Sequence, residues 1–103
     1  SRLLKRSEFL AVRGGTKRRG PLFLLEVLER GDVMPPRVGL TVTKKAGNAV
    51  QRNRIKPRQR EIVRARADEM TTGSDYVIVG RSELLKARFT DIQAELSRRL
   101  RRG

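Results

Sequence analysis

Arg37-Val38-Gly39-Leu40-Thr41-Val42-Thr43, running without a break into Lys44-Lys45-Ala46-Gly47-Asn48, changes its hydrophobic period partway along. Up to Thr43 the residues alternate, with Val38, Leu40 and Val42 on one face, which predicts a half-buried β-strand. Beyond it, Gly47 precedes Asn48, a favourable helix N-cap, so the pattern predicts the main helix over residues 48–66. Upstream, Leu22-Phe23-Leu24-Leu25-Glu26-Val27-Leu28 is apolar on both faces at its start and reads as an interior strand. A short Gly- and Pro-bearing loop joins it to the strand from Arg37, so the two are expected to pair antiparallel. Whether residues 16–30 form one strand or two is open at this level.

The flanks complete the order. Ser7 is expected to cap a short helix that Gly14-Gly15 stops, with Phe9 and Val12 on one face. Asp75-Tyr76-Val77-Ile78-Val79 is a short, strongly apolar strand, and Ser82 can cap a brief turn after it. Thr90-Asp91-Ile92-Gln93 has capping-box spacing and opens a last helix. Its Phe89, Ile92, Leu96 and Leu100 fall at helical spacing and read as core. The order α-β-β-β-α-β-α predicts an α+β protein, a two-layer α/β sandwich formed as one domain over residues 1–103.

Charge narrows the function. The chain has 103 residues and a net charge of +14, from 25 Lys and Arg against 11 Asp and Glu. The excess is segregated: residues 1–20 carry +6 and residues 44–66 carry +8, while the rest is near neutral. Solubility needs no such segregation; a polyanionic partner, above all nucleic acid, explains it. There is no Cys and no His, which removes disulfides, thiol nucleophiles, imidazole bases and Cys or His metal sites together. A reducing compartment fits that composition. No apolar run approaches the ~18–20 residues of a membrane span, and no signal-peptide core opens the chain, so no membrane partner is expected.

On a helical wheel of residues 50–66, Arg52, Lys56, Arg60 and Arg64 follow one another at i, i+4 as one basic stripe. Arg54 and Arg58 flank the other side beyond Glu61, and Ile55 and Ile62 form a narrow apolar seam. A single acid cannot pair with so many cations, so the helix is a surface for phosphates, to which Arg presents a planar fork of donors. Asn53 beside the stripe can meet a base edge or a ribose hydroxyl.

The run Thr43-Lys44-Lys45-Ala46-Gly47-Asn48-Ala49-Val50-Gln51-Arg52-Asn53-Arg54-Ile55-Lys56, continuing to Arg58, Arg60 and Glu61, closely resembles the signature of the bacterial ribonuclease P protein family. Arg2-Leu3 with Glu8-Phe9 and Gly14 resembles that family's N-terminal segment. The strand from Arg37 resembles the one that leads into that family's motif, and the strand from Asp75 resembles its last strand. The resemblance implies a mixed sheet with a left-handed βαβ crossover, like a domain of a small-subunit ribosomal protein. It implies a protein that binds a catalytic RNA subunit and the 5′ leader of precursor tRNA, in the cytoplasm, assisting endonucleolytic removal of the leader. The RNA would perform the cleavage with Mg²⁺ held mainly by RNA and substrate, with no organic cofactor and no catalytic residue or metal site in the protein. By match to the motif, Lys44, Lys45, Asn48, Arg52, Asn53, Arg54, Lys56 and Arg60 are expected to contact the RNA subunit or lie near the cleavage site.

The same resemblance places a leader cleft over the sheet beside the first helix. Phe9 is there to stack on a base, a contact worth ~1–3 kcal/mol, or to fill the core. Arg13 stands where several relatives carry an aromatic. Lys17, with Arg18 and Arg19, would follow the leader phosphates or simply be solvated, while Phe23 reads as core. Two residues depart from the pattern: Pro57 replaces a basic residue inside the helix, and Gln59 falls where an aliphatic would lengthen the seam. Rival readings are a basic RNA-binding or ribosomal-type module without a role in cleavage, and a stand-alone nuclease holding Mg²⁺ through Asp32, Asp68, Glu69, Asp75 and Glu83.

Overall fold

A computed structural model describes residues 5–101. The elements are α1 (Arg6–Arg13), β1 (Thr16–Arg19), β2 (Phe23–Glu29), β3 (Arg37–Val42), α2 (Ala49–Arg66), β4 (Ser74–Gly80) and α3 (Phe89–Arg101). Short 3-10 turns cover Lys44–Ala46, Ala67–Glu69 and Ser82–Leu85. Residues 16–30 are thus two strands, broken where Pro21 supplies no backbone donor; Gly20 N closes the turn on Phe23 O at 3.1 Å.

The sheet order is β1-β2-β4-β3, which corrects one expectation. β2 and β3 do not pair; β4 lies between them, antiparallel to β2 and parallel to β3. Burial explains the arrangement. β4 is apolar on both faces and all but Val79 of its residues are buried, whereas β3 has only one apolar face and goes to the edge. Parallel β3 and β4 then require a crossover, and α2 is that connection.

Alternation sorts the core. Phe23, Leu25 and Val27 of β2, with Tyr76 and Ile78 of β4, face α2 and α3 and meet Ile55, Ile62, Ile92 and Leu96. Phe89 and Leu100 pack on that cluster, so the α3 stripe is core as expected. The opposite sheet face is only partly covered: Val12 of α1 sits on Val77, with Phe9, Leu28 and Val79 around them.

Three caps differ from expectation. α1 starts after Lys5 instead of at Ser7, because Glu8 Oε1 accepts from Lys5 N at 2.9 Å. α3 starts at Phe89, its first turn closed by Ile92 N on Arg88 O at 3.1 Å, so Thr90 lies inside the helix. Ser82 opens its 3-10 turn without capping it. Asn48 does cap α2: its side chain accepts from Gln51 N at 2.9 Å, while Gln51 Oε1 accepts from Asn48 N at 3.0 Å.

α2 carries its two unusual residues differently. Gln59 is buried in the seam, where its Nε2 donates to Thr41 O at 2.9 Å and Ile78 O at 3.1 Å, lashing the helix to β3 and β4. Pro57 lies inside the helix on its exposed side, where its ring removes the donor due to the Asn53 carbonyl. Pro57→Arg restores that donor, and we expect its thermal midpoint to rise by several degrees, since ~1 kcal/mol moves a domain of this size by about 4–8 °C. A lower midpoint by calorimetry would show that the ring stabilises more, by restricting the unfolded chain, than the missing hydrogen bond costs.

Candidate nucleic-acid interface

The basic surface is built from the β3–α2 junction. Gly47 has φ +132°, a region that disfavours side chains, and a Cβ there would strike the Gln51 amide that completes the Asn48 cap. This tight entry, pinned by buried Ala46, leaves Lys44 and Lys45 exposed at the N-terminal end of α2. Asn48 is exposed, with its amide oxygen engaged as the cap.

Along α2 the two basic flanks diverge. Arg52, Asn53 and Lys56 line an open depression against Leu40, Thr41 and Val42 of the edge strand. Arg60 and Arg64 continue this flank in solvent. On the other side Arg54 is exposed, but Arg58 turns inward and donates to the carbonyl of Ala87, bracing the approach to α3. Arg66 is held by Glu69 at 3.5 Å. The open stripe is therefore the Arg52–Lys56–Arg60–Arg64 side, with Arg54 alone remaining of the other.

A second concavity, of about 610 Å³, lies between α1 and the uncovered sheet face. Its wall is Arg6, Phe9, Leu10 and Arg13; its floor includes Leu24, Glu26, Val77 and Val79. Phe9 is half-buried: it packs on the small core beneath α1 and also lines the cleft. Lys17 Nζ donates to Glu26 Oε2 at 2.7 Å and to Arg13 O at 3.0 Å, so it stands at the cleft already partnered. Arg18 is not in the cleft. Strand alternation sends it to the other face, where its Nη1 donates to Arg99 O at 2.6 Å and Leu100 O at 3.3 Å at the end of α3. Arg19 lines an adjoining hollow with Lys45 and Arg81.

Arg6, Arg81, Thr41, Thr43 and Glu26 also line these concavities, and the sequence reading did not single them out. One signal was available: alternation from Phe23 puts Leu24 and Glu26 opposite the core face, and an acid within an apolar strand marks that face as unusual. The cleft wall is fixed by an ionic chain. Arg37 reaches Glu8 of α1 at 2.8 Å and grips Asp75 with two bonds of 2.9 and 2.7 Å, while Arg30 holds the same carboxylate from the other side. Burial acts to raise the Asp75 pKa, but hydrogen bonds from Arg37 and Arg30 outweigh it and hold it below the ordinary carboxylate value.

Three acids of the nuclease reading are otherwise engaged. Asp32 and Asp75 share Arg30, and Glu69 accepts from Ser97 at 2.9 Å. Among the described residues no three His, Cys, Asp or Glu side chains gather as a metal site. No helix among them is long and apolar enough to cross a membrane.

Comparison with known proteins matches residues 1–103 to the family model described as Ribonuclease P. The chain is 55% identical over 107 residues to the ribonuclease P protein component of Bartonella quintana, covering 97% of this chain and 80% of that protein. It is 45% identical over 104 residues to the component from Gluconacetobacter diazotrophicus, covering 99% and 90%. Its fold is similar to the RNase P protein from Thermotoga maritima, with TM-score 0.80 and 27% identity over 100% of this chain and 97% of that one. The Staphylococcus aureus RNase P protein gives TM-score 0.77 at 26% identity over 96% and 91%.

Proposed function

We propose that this chain, which belongs to the ribonuclease P protein family, binds the catalytic RNA subunit through the open flank of α2 and the 5′ leader of precursor tRNA in the cleft beside α1. The observation that carries this reading is continuity: the α2 depression and the α1 cleft share Thr41 and Val42, so one edge strand separates them. A protein bound to a structured RNA on one side can therefore hold a connected single strand on the other. The first surface offers exposed cations suited to phosphates; the second offers a floor of apolar side chains around Glu26, an aromatic wall and a cationic rim suited to unstacked bases.

Catalysis goes to the RNA in this reading. Asp32 and Asp75, two of the acids of the rival nuclease, are bound to arginines, and the chain contains no imidazole or thiol. Mg²⁺ is assigned to RNA and substrate phosphates, which supply the hard oxygen ligands it favours. Positioning the leader relative to the RNA then lowers the entropic cost of reaching the reactive geometry. A place in the cytoplasm beside its RNA partner goes with this function.

Reconstitution with a ribonuclease P RNA tests it: the pair should cleave precursor tRNA at low Mg²⁺, and the protein alone should not. Binding without any gain in cleavage would favour the plain RNA-binding module, and cleavage by the protein alone the nuclease. Within that assay, Arg52→Ala and Arg54→Ala should each weaken assembly about tenfold or more, by loss of a charge-assisted contact. Lys86→Ala, an exposed cation in the turn before α3, should change it about twofold at most. Arg99 is no suitable control, since it pairs at 3.5 Å with Glu95, which is buried. Equal losses at all three positions would mean that only total charge matters.

A further inference from the structure

A carboxylate is out of place in a cleft for a polyanion, yet Glu26 lines this one, only 6% exposed, on the floor below Arg6 and Arg13. Its Oε2 receives Lys17 Nζ at 2.7 Å. Among the described residues its Oε1 has no hydrogen-bond partner, and it is not one of the atoms sealed from solvent without one. A neutral residue would hold phosphates better, because Glu26 cancels the charge of Lys17 beside it. The phosphates therefore belong at the rim, with Arg6 and Arg13, and what meets Glu26 must carry hydrogen-bond donors. In a single strand those donors are on the base edges.

We propose that Glu26 is a specificity-determining residue of the cleft, accepting hydrogen bonds from the edge of one unstacked base and so favouring guanine over uracil in the bound strand. The inference rests on the leader-binding reading above and extends it. Guanine presents two adjacent donors, N1–H and the N2 amino group, which match the two oxygens of a carboxylate; Oε2 retains a second lone pair beside Lys17. Uracil has a single N–H flanked by two carbonyl oxygens, both repelled by the carboxylate. Adenine and cytosine, with one amino group each, fall between. Phe9 on the wall adds stacking that every base can use, so it supplies affinity while Glu26 supplies choice.

The test uses the holoenzyme reconstituted with ribonuclease P RNA. Its probes are precursor tRNAs with all-uridine leaders, the same leaders with one guanine scanned through them, and a leaderless tRNA. At one leader position guanine should tighten binding about tenfold over uracil. In Glu26→Gln that ratio should shrink to about twofold, with leaderless binding unchanged. Glu26→Asp, which keeps the carboxylate, should retain the preference, a rescue that a merely structural defect would not give. A wild type indifferent to the base, or a ratio unaltered in Glu26→Gln, overturns the role of Glu26 while leader binding stands. Leader-bearing tRNAs that bind no better than the leaderless one overturn the leader-binding reading itself, and this inference with it.

Discussion

Asp75→Ala should destabilise the protein by about 3 kcal/mol, a large share of the 5–15 kcal/mol available to a domain. Asp75 is 2% exposed and is the point where Arg30 and Arg37 meet. Removing it leaves two guanidinium groups side by side in a partly dry setting, with Glu8 and Asp32 remaining at their outer ends. The loss falls on the elements that shape the cleft, since the ionic chain joins α1, β3, β4 and the β2–β3 loop. Urea denaturation measures it, and a loss under 1 kcal/mol would show that Glu8 and Asp32 suffice. The same carboxylate sets an acid limit. Its folded pKa lies below its ordinary value of 3.8. Its contribution is therefore complete above that value and disappears as pH falls through the lower, folded one. Wild-type stability should drop more steeply below about pH 4 than that of Asp75→Asn, which has no proton to gain. Parallel acid profiles for the two proteins would remove Asp75 as the cause.

Affinity for the RNA subunit should fall about 10³-fold between 50 and 200 mM monovalent salt. Arg52, Arg54, Lys56, Arg60, Lys44 and Lys45 are exposed or half-exposed along one helix and its entry. If they neutralise about six phosphates, counterion release gives a log–log slope near −5, and a fourfold rise in salt yields that loss. Arg58, Arg66 and Arg18 are committed to partners inside the protein and should not add to the slope. Double alanine substitution at Arg52 and Arg54 should flatten it by roughly two units. A slope near zero in filter-binding titrations would mean that the segregated charge does not drive association.

Local pattern was enough for much of this protein. The switch from period two to helical spacing between Thr43 and Asn48 located β3, the Asn48 cap and the whole of α2. The apolar stripe of α3 could be read as core, because each of these features depends on residues a few positions apart. The basic flank was visible for the same reason: i, i+4 spacing puts Arg52, Lys56, Arg60 and Arg64 together in any helix.

Pairing and partnership were not local. β2 and β3 are neighbours in the chain, yet β4, coming after α2, separates them in the sheet, because a strand apolar on both faces is driven to the interior. Arg18 resembles Lys17 and Arg19 in sequence, but the pleat sends it across the sheet to the end of α3. Arg58 matches Arg54 on the wheel, but only Arg58 finds a backbone carbonyl, that of Ala87. Gln59 looked like a gap in the seam and is instead a bond between α2 and two strands. Composition and spacing by themselves determined that the protein carries a cationic helix docked on an aliphatic core. Which cations stay free, and which acid faces the cleft, only the tertiary structure decided, because a charged side chain spends itself on whichever partner folding brings within about 3 Å.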